Sequence, residues 1–192
     1  MNTNLKRSNL TIHHLMDQLA SFEDKVEKLM IKLSINEFNL KCDHIALRVN
    51  DLQTAVELHQ NFELIGQVIS DKIINGRPII IIKLNEPLFI LNQKVDYIEL
   101  PYPSSRTYPI EGWEHIELIL PCDATTSAQL KSALLKFQPK LLSVFNAETD
   151  IKIKMSSPSG DNESVANPTI AFKHNHICVK IHPHSIEKIV TV

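Results

Sequence analysis

The alternation of apolar and polar positions divides the chain into a helical start and two β-rich halves. Up to about residue 40 apolar residues recur at helical spacing. Ser8 or Asn9 is placed to cap a first helix running to Leu19, and Ser21 with Asp24 to cap a second. In that second helix Phe22, Val26, Leu29, Met30 and Leu33 share one side. From Cys42 the period changes to two, which predicts a strand over 42–49. Asn50-Asp51 then caps a helix to about Leu64, with Leu52, Ala55, Val56, His59 and Phe62 on its stripe. β-rich runs at 68–74 and 78–84 flank Asn75-Gly76, a hairpin signal, and Asn85-Glu86-Pro87 reads as another turn before strands at 88–91 and 95–101.

The second half repeats this order. A strand over 113–120 leads to Cys122-Asp123, a cap, and a helix to about Phe137. Residues 138–150 read as irregular, 151–155 as a strand, and 156–168 as a long loop. Strands near 169–173 and 176–182 and a short helix from Ser185 complete the pattern. Asp43-His44-Ile45-Ala46-Leu47 and Glu114-His115-Ile116-Glu117-Leu118 both read acid, His, Ile, any residue, Leu, with the histidines 115 − 44 = 71 residues apart. A fixed offset of this kind marks an internal repeat. The ends of the halves also align without a gap, laying Glu99 over Lys180.

Bulk properties narrow the function class. The 192 residues are 43% hydrophobic and 22% charged, with a net charge of −2, as in an ordinary globular protein. The basic residues are scattered, which argues against a nucleic-acid surface. No run is apolar enough for a membrane span, and no secretory segment is visible, so no membrane association is expected. Three widely spaced cysteines form no zinc or disulfide pattern and read as reduced thiols of a cytoplasmic protein.

Two βαβββ modules, each with a His on its first strand and a polar residue on its last, resemble the vicinal oxygen chelate superfamily. Within it the chain looks like the YecM-like family. The matching stretches are DHIALR (43–48), INGRPI (74–79), KLNEP (83–87), IELPYP (98–103), EGWEHIELILP (111–121), SSPSG (156–160), NPT (167–169) and KIHPHSIEKIV (180–190). The resemblance implies an α+β fold in which module 1 (41–104) and module 2 (111–192) form a half-open barrel around one central site. Residues 1–40 form an N-terminal helical extension packed on that main fold. It also implies four ligand positions, on the first and last strand of each module: His44, Glu99, His115 and Lys180. Lys180 departs from the pattern, since an ammonium is not a metal ligand.

Two imidazoles and one carboxylate suffice for one divalent metal, whether Fe, Zn, Mn, Co or Ni. The expected protein is a metal-dependent isomerase, lyase or oxygenase acting on a small molecule with adjacent oxygens. Lys180 would serve as the catalytic cation or base. Arg48 shares the parity of His44 and suits an anionic substrate group, while Trp113 and Glu117 share the parity of His115 and read as substrate wall. His182 shares the parity of Lys180 and stands as a reserve ligand; His174, His176 and His184 read as a solvated hairpin. Two other classes remain open. One is a metal-free module holding an anionic small molecule with Arg48 and Lys180. The other is a partner-binding protein that uses the N-terminal helices. Because the modules are already paired in one chain, a monomer or weak homodimer is expected.

Overall fold

The computed structural model describes residues 10–156 and 165–190; the proposed caps Ser8 and Asn9, and most of the loop at 156–168, lie outside them. The described residues form a mixed α+β fold with one nine-strand open sheet and five α-helices. The elements in chain order are α1 (Ile12–Lys32), β1 (Lys41–Arg48), α2 (Leu52–Glu63), β2 (Gly66–Ser70), β3 (Ile73–Ile74), β4 (Arg77–Ile90) and β5 (Gln93–Pro101). After a connector come β6 (Gly112–Ile119), α3 (Ser127–Phe137), α4 (Leu142–Phe145), β7 (Lys152–Ser156), β8 (Thr169–His174), β9 (Ile177–His182) and α5 (Ile186–Val190). The sheet runs β2-β4-β5-β1-β6-β9-β8-β7, with β3 paired to β4. β1 and β6 meet antiparallel at the middle, and each has a parallel neighbour on its other side, β5 and β9 respectively.

One face of the sheet carries the core. Ile45, Leu47, Ile98, Leu100, Ile116, Leu118, Val179 and Ile181 are all fully buried there with Leu15, Leu58, Phe62, Leu130 and Leu134 from the helices. At roughly 1.5–3 kcal/mol for each large apolar side chain buried, this face supplies most of the driving force for folding. The other face of the four middle strands holds His44, Glu99, His115, Glu117 and Lys180.

Several local expectations change. The helix break at Ser21 does not occur: α1 is one helix, capped by the Thr11 hydroxyl, which accepts a hydrogen bond from the His14 amide. Leu15 extends the stripe of Phe22, Val26, Leu29 and Met30 one turn pair earlier, and burial of that continuous stripe outweighs a mid-helix capping signal. Asn85-Glu86-Pro87 is not a turn. It is a register irregularity inside the 14-residue β4, between Lys83 and Leu88, where a proline lacking an N–H removes no ladder bond. The chain instead reverses at Leu91-Asn92, both with positive φ (53° and 57°), as Asn75-Gly76 does before β4 (52° and 77°). Residues 138–150 contain α4 and a 3-10 turn at Pro139–Leu141.

Gly66 shows where packing forbids any side chain. A Cβ there would meet the Lys83 carbonyl oxygen at 2.6 Å and Ile82 Cγ2 at 2.8 Å. The obstruction is backbone of a paired strand and cannot swing away. Gly66→Ala is therefore expected to destabilise the fold by about 1–3 kcal/mol in urea unfolding. An unchanged midpoint would show that β2 can lift from β4.

Candidate functional site

Both histidine strands contain a bulge at the acid before the histidine. On β1 the register with β6 shifts between Cys42 and His44, leaving Asp43 extra; on β6 it shifts across Glu114, between the partners of Ala46 and Leu47. A bulge turns the extra side chain out of the regular alternation. Both acids use that freedom in the same way. Asp43 Oδ2 lies 3.0 Å from His44 Nδ1, and a Glu114 carboxylate oxygen contacts His115 Nδ1. Each imidazole is thereby anchored on its Nδ1 side and presents Nε2 to the space between the strands.

Two carboxylates meet those nitrogens. Glu99 on β5 lies 3.8 Å from both His44 Nε2 and His115 Nε2. Glu117 Oε1 lies 3.5 Å from His44 Nε2 and 3.2 Å from His115 Nε2. The donor atoms of His44, Glu99, His115 and Glu117 all lie within 4.8 Å of one another. A tetrahedral ion with bonds of about 2.1 Å spaces its donors by roughly 3.4 Å, so these four side chains are close enough to be drawn onto one ion once Lys180 yields the Glu117 oxygen. His44 Nε2 is buried and has no hydrogen-bond partner among the described residues. Such an orphan is costly unless something occupies its lone pair or takes its proton.

Glu117, expected as substrate wall, is thus the fourth potential donor, and it stands in register beside Lys180 on β9. Lys180 Nζ lies 2.5 Å from Glu117 Oε1. Burial would raise the Glu117 pKa, but the charges of Lys180 and His44 hold it well below the usual carboxylate range. Burial would lower that of Lys180, but Glu117 and Glu99 hold it above the ordinary lysine value. Lys180 is therefore charged beside Glu117 in the metal-free protein. Burial would likewise lower the His44 pKa, yet the Glu117 charge and the bond to Asp43 hold it at about 10.

The remaining residues separate. Arg48 Nη2 is 2.9 Å from Glu114 Oε1 and lines the same cavity of about 620 Å³ as His44, Glu99, His115 and Lys180. Trp113 lines that cavity only in part. The bulge at Glu114 reverses its parity, so its ring packs toward Phe22 and its Nε1 donates to the Leu15 carbonyl at 2.7 Å. His182 is fully buried, 3.6 Å from Asp43 Oδ2 and 3.7 Å from Glu117 Oε2, and burial lowers its pKa. It forms a second potential ligand group with Asp43 and His44. His174 is held by Asp150 at 3.0 Å, far along the hairpin. Cys42 and Cys178 are free and buried thiols whose pKa burial pushes up to about 12, so both pack as small apolar groups. Among the described residues no helix is long and apolar enough to cross a membrane.

Two features escaped sequence reasoning: Glu117 as a donor and Glu114 as the anchor of His115. The parity of Glu117 with His115, beside a lysine in the neighbouring strand, was the available signal for the first. The acid before each histidine was the signal for the second.

The profile of the family described as YecM protein matches residues 11–192. An uncharacterized protein of Haemophilus influenzae is 40% identical over 191 residues, covering 97% of this chain and 95% of its own length. Protein YecM of Escherichia coli is 37% identical over 179 residues, covering 93% and 92%. The solved structure described as Structural Genomics, Protein EC4020, superposes with a TM-score of 0.73 at 32% identity, covering 94% of this chain and 91% of that one.

Proposed function

We propose that this chain, which belongs to the YecM family, is a divalent-metal-dependent enzyme acting on a small molecule with adjacent oxygens. The fold would be a pair of βαβββ modules of vicinal-oxygen-chelate type; the sheet order, read outward from the β1–β6 seam, supports that reading. The observation that carries the proposal is the orphaned His44 Nε2, facing His115, Glu99 and Glu117 at donor spacing.

His44, Glu99, His115 and Glu117 would hold the ion, whose Lewis acidity would polarise the adjacent substrate oxygens. Asp43 and Glu114 fix the two rings so that both Nε2 atoms converge. Lys180 holds its proton and stands against Glu117 at the cavity wall, placed to stabilise an enolate or oxyanion as it develops. This combination suits isomerase, lyase or oxygenase chemistry. Elemental analysis of purified protein, before and after reconstitution with Fe(II), Mn(II), Co(II), Ni(II) or Zn(II), tests it. One equivalent per chain, lost in both His44→Ala and His115→Ala, is the expected result. No retained ion after reconstitution would leave the second reading: a metal-free module for an anionic small molecule. The Lys180–Glu117 pair favours that second reading, because it already compensates the buried carboxylate.

Metal affinity should depend on pH. His44 carries a proton up to about pH 10 in the metal-free protein, and an ion must displace it. Affinity is expected to rise by up to about one log unit per pH unit on going from pH 6 to 9. The stability of the metal-free protein has the opposite sign. The His44 pKa is raised from 6.5, so its contribution is complete below pH 6.5 and is lost as pH climbs toward about 10. Calorimetry in buffers of different ionisation enthalpy reads the released proton; no release would remove His44 from the ligand set.

A further inference from the structure

The cavity carries more positive charge than its own acids neutralise. Arg48, Arg77, Arg106, Lys154, Lys173 and Lys180 line it, against Glu99, Glu114 and Glu117. Lys180 pairs with Glu117, while Arg48 and Lys173 share Glu114. Arg77 donates to the Tyr102 carbonyl at 3.0 Å, and in the lining as a whole six cations stand against three acids. A bound divalent ion would add to the excess.

Two of these cations are gathered at one place. The Arg48 guanidinium lies 4.1 Å from the centre of the Tyr108 ring, and that of Arg106 lies 5.5 Å from it. Like charges drawn to one ring gain cation–π attraction but repel each other. The ring is held there deliberately by the backbone. Asn50 Nδ2 donates to the Tyr108 carbonyl and Asn50 Oδ1 accepts from its amide, both at 2.8 Å. The Asn50 amide in turn donates to Glu111 at 2.7 Å, which pins the connector between β5 and β6. Arg48 has a side chain only 10% exposed, and its Nε is buried without a partner. Two guanidinium groups at one ring on the cavity wall offer planar forks that match the paired oxygens of a carboxylate or phosphate.

We infer that the substrate is a small organic acid with a second anionic group, carboxylate or phosphate, held by Arg48 and Arg106 on the Tyr108 platform while its adjacent oxygens face His44, Glu99, His115 and Glu117. This rests on the metal-dependent reading for the head of the substrate, but not for its tail. A cavity of about 620 Å³ accommodates such a molecule.

Calorimetric titration of three probes, with metal-free and Mn(II)-treated protein, tests the inference. Lactate offers the adjacent oxygens alone, malate adds a carboxylate, and 3-phosphoglycerate adds a phosphate. Malate or 3-phosphoglycerate is expected to bind at least about tenfold more tightly than lactate, the preferred one identifying the anion. That gain should vanish in Arg106→Ala and Tyr108→Leu and shrink at high salt. Arg106 is exposed, so its variant is expected to fold as the wild type does. Equal binding of all three, no binding of either dianion, or a gain that survives both substitutions would overturn the inference. If Mn(II) binds but the gain is absent, the inference falls and the metal reading stands. If the gain depends on Arg106 without any bound ion, the metal reading falls and the anion subsite stands.

Discussion

Glu117→Gln is expected to abolish the metal-dependent rise in Tm while also lowering the Tm of the metal-free protein by roughly 10 °C. Glu117 is 7% exposed and answers four positive or proton-sharing neighbours: Lys180 at 2.5 Å, His115 at 3.2 Å, His44 at 3.5 Å and His182 at 3.7 Å. Neutralising it strands Lys180 in a partly buried place. Breaking a buried pair from one side costs about 3–5 kcal/mol. Metal affinity should fall by at least about 100-fold, since even groups that only orient ligands are worth 10–100-fold. The double variant Glu117→Gln/Lys180→Met separates the two effects. It should recover much of the lost stability, because no charge is stranded, yet recover none of the metal response. Lys180→Met alone should keep the metal response. Should Glu117→Gln still gain Tm on addition of Mn(II) or Zn(II), Glu117 is not a donor and the site is limited to His44, Glu99 and His115.

Trp113→Ala should cost about 3–5 kcal/mol, the range for deleting a large buried aromatic. Trp113 is 6% exposed, packs 6.4 Å from the Phe22 ring centre, and donates its indole hydrogen to the Leu15 carbonyl. It is a bolt between β6 and α1, and its loss leaves a void and removes the side-chain bond that ties the two elements together. Trp113→Phe retains most of the packing and loses the hydrogen bond, for about 1–3 kcal/mol. Urea unfolding measures both, and limited proteolysis should find new cleavage within α1 for the alanine variant. An alanine variant within 1 kcal/mol of wild type would show that α1 docks without it.

These two residues mark where a sequence is legible and where it is not. The stretches holding His44 and His115 are legible because the acid-His-Ile-x-Leu pattern occurs twice in the sequence, whereas Glu99 follows only from the family resemblance. Their convergence follows from strand neighbours, β5 beside β1 and β1 beside β6. Trp113 was assigned to the face of His115 by counting in twos. That count fails because Glu114 is a bulge, and one extra residue moves everything before it to the other face. Bulges have no composition of their own, so period alone cannot see them. Glu117 shares the face of His115 in the sequence as in the structure, but only its strand neighbour Lys180 and the nearby His44 Nε2 set it among the potential donors. The single α1 and the unbroken β4 are tertiary outcomes. Burial against the sheet overrides a serine that could cap and a proline that could turn.

The pairing scheme also sets a timetable for folding. The ladders that build the centre join residues far apart in the chain: His44 with Tyr97, 97 − 44 = 53 residues on, and Glu117 with Lys180, 180 − 117 = 63 residues on. Such high contact order slows folding, because long loops must close before any contact compensates for their entropy. On the ribosome, His44, Glu99, His115 and Glu117 all emerge well before β9, and until β9 arrives Glu117 lacks its lysine. For that interval the nascent chain carries these side chains without the cation that pairs with Glu117 in the folded protein. The last strand is thus a late closing step, which brings Lys180 against the Glu117 carboxylate.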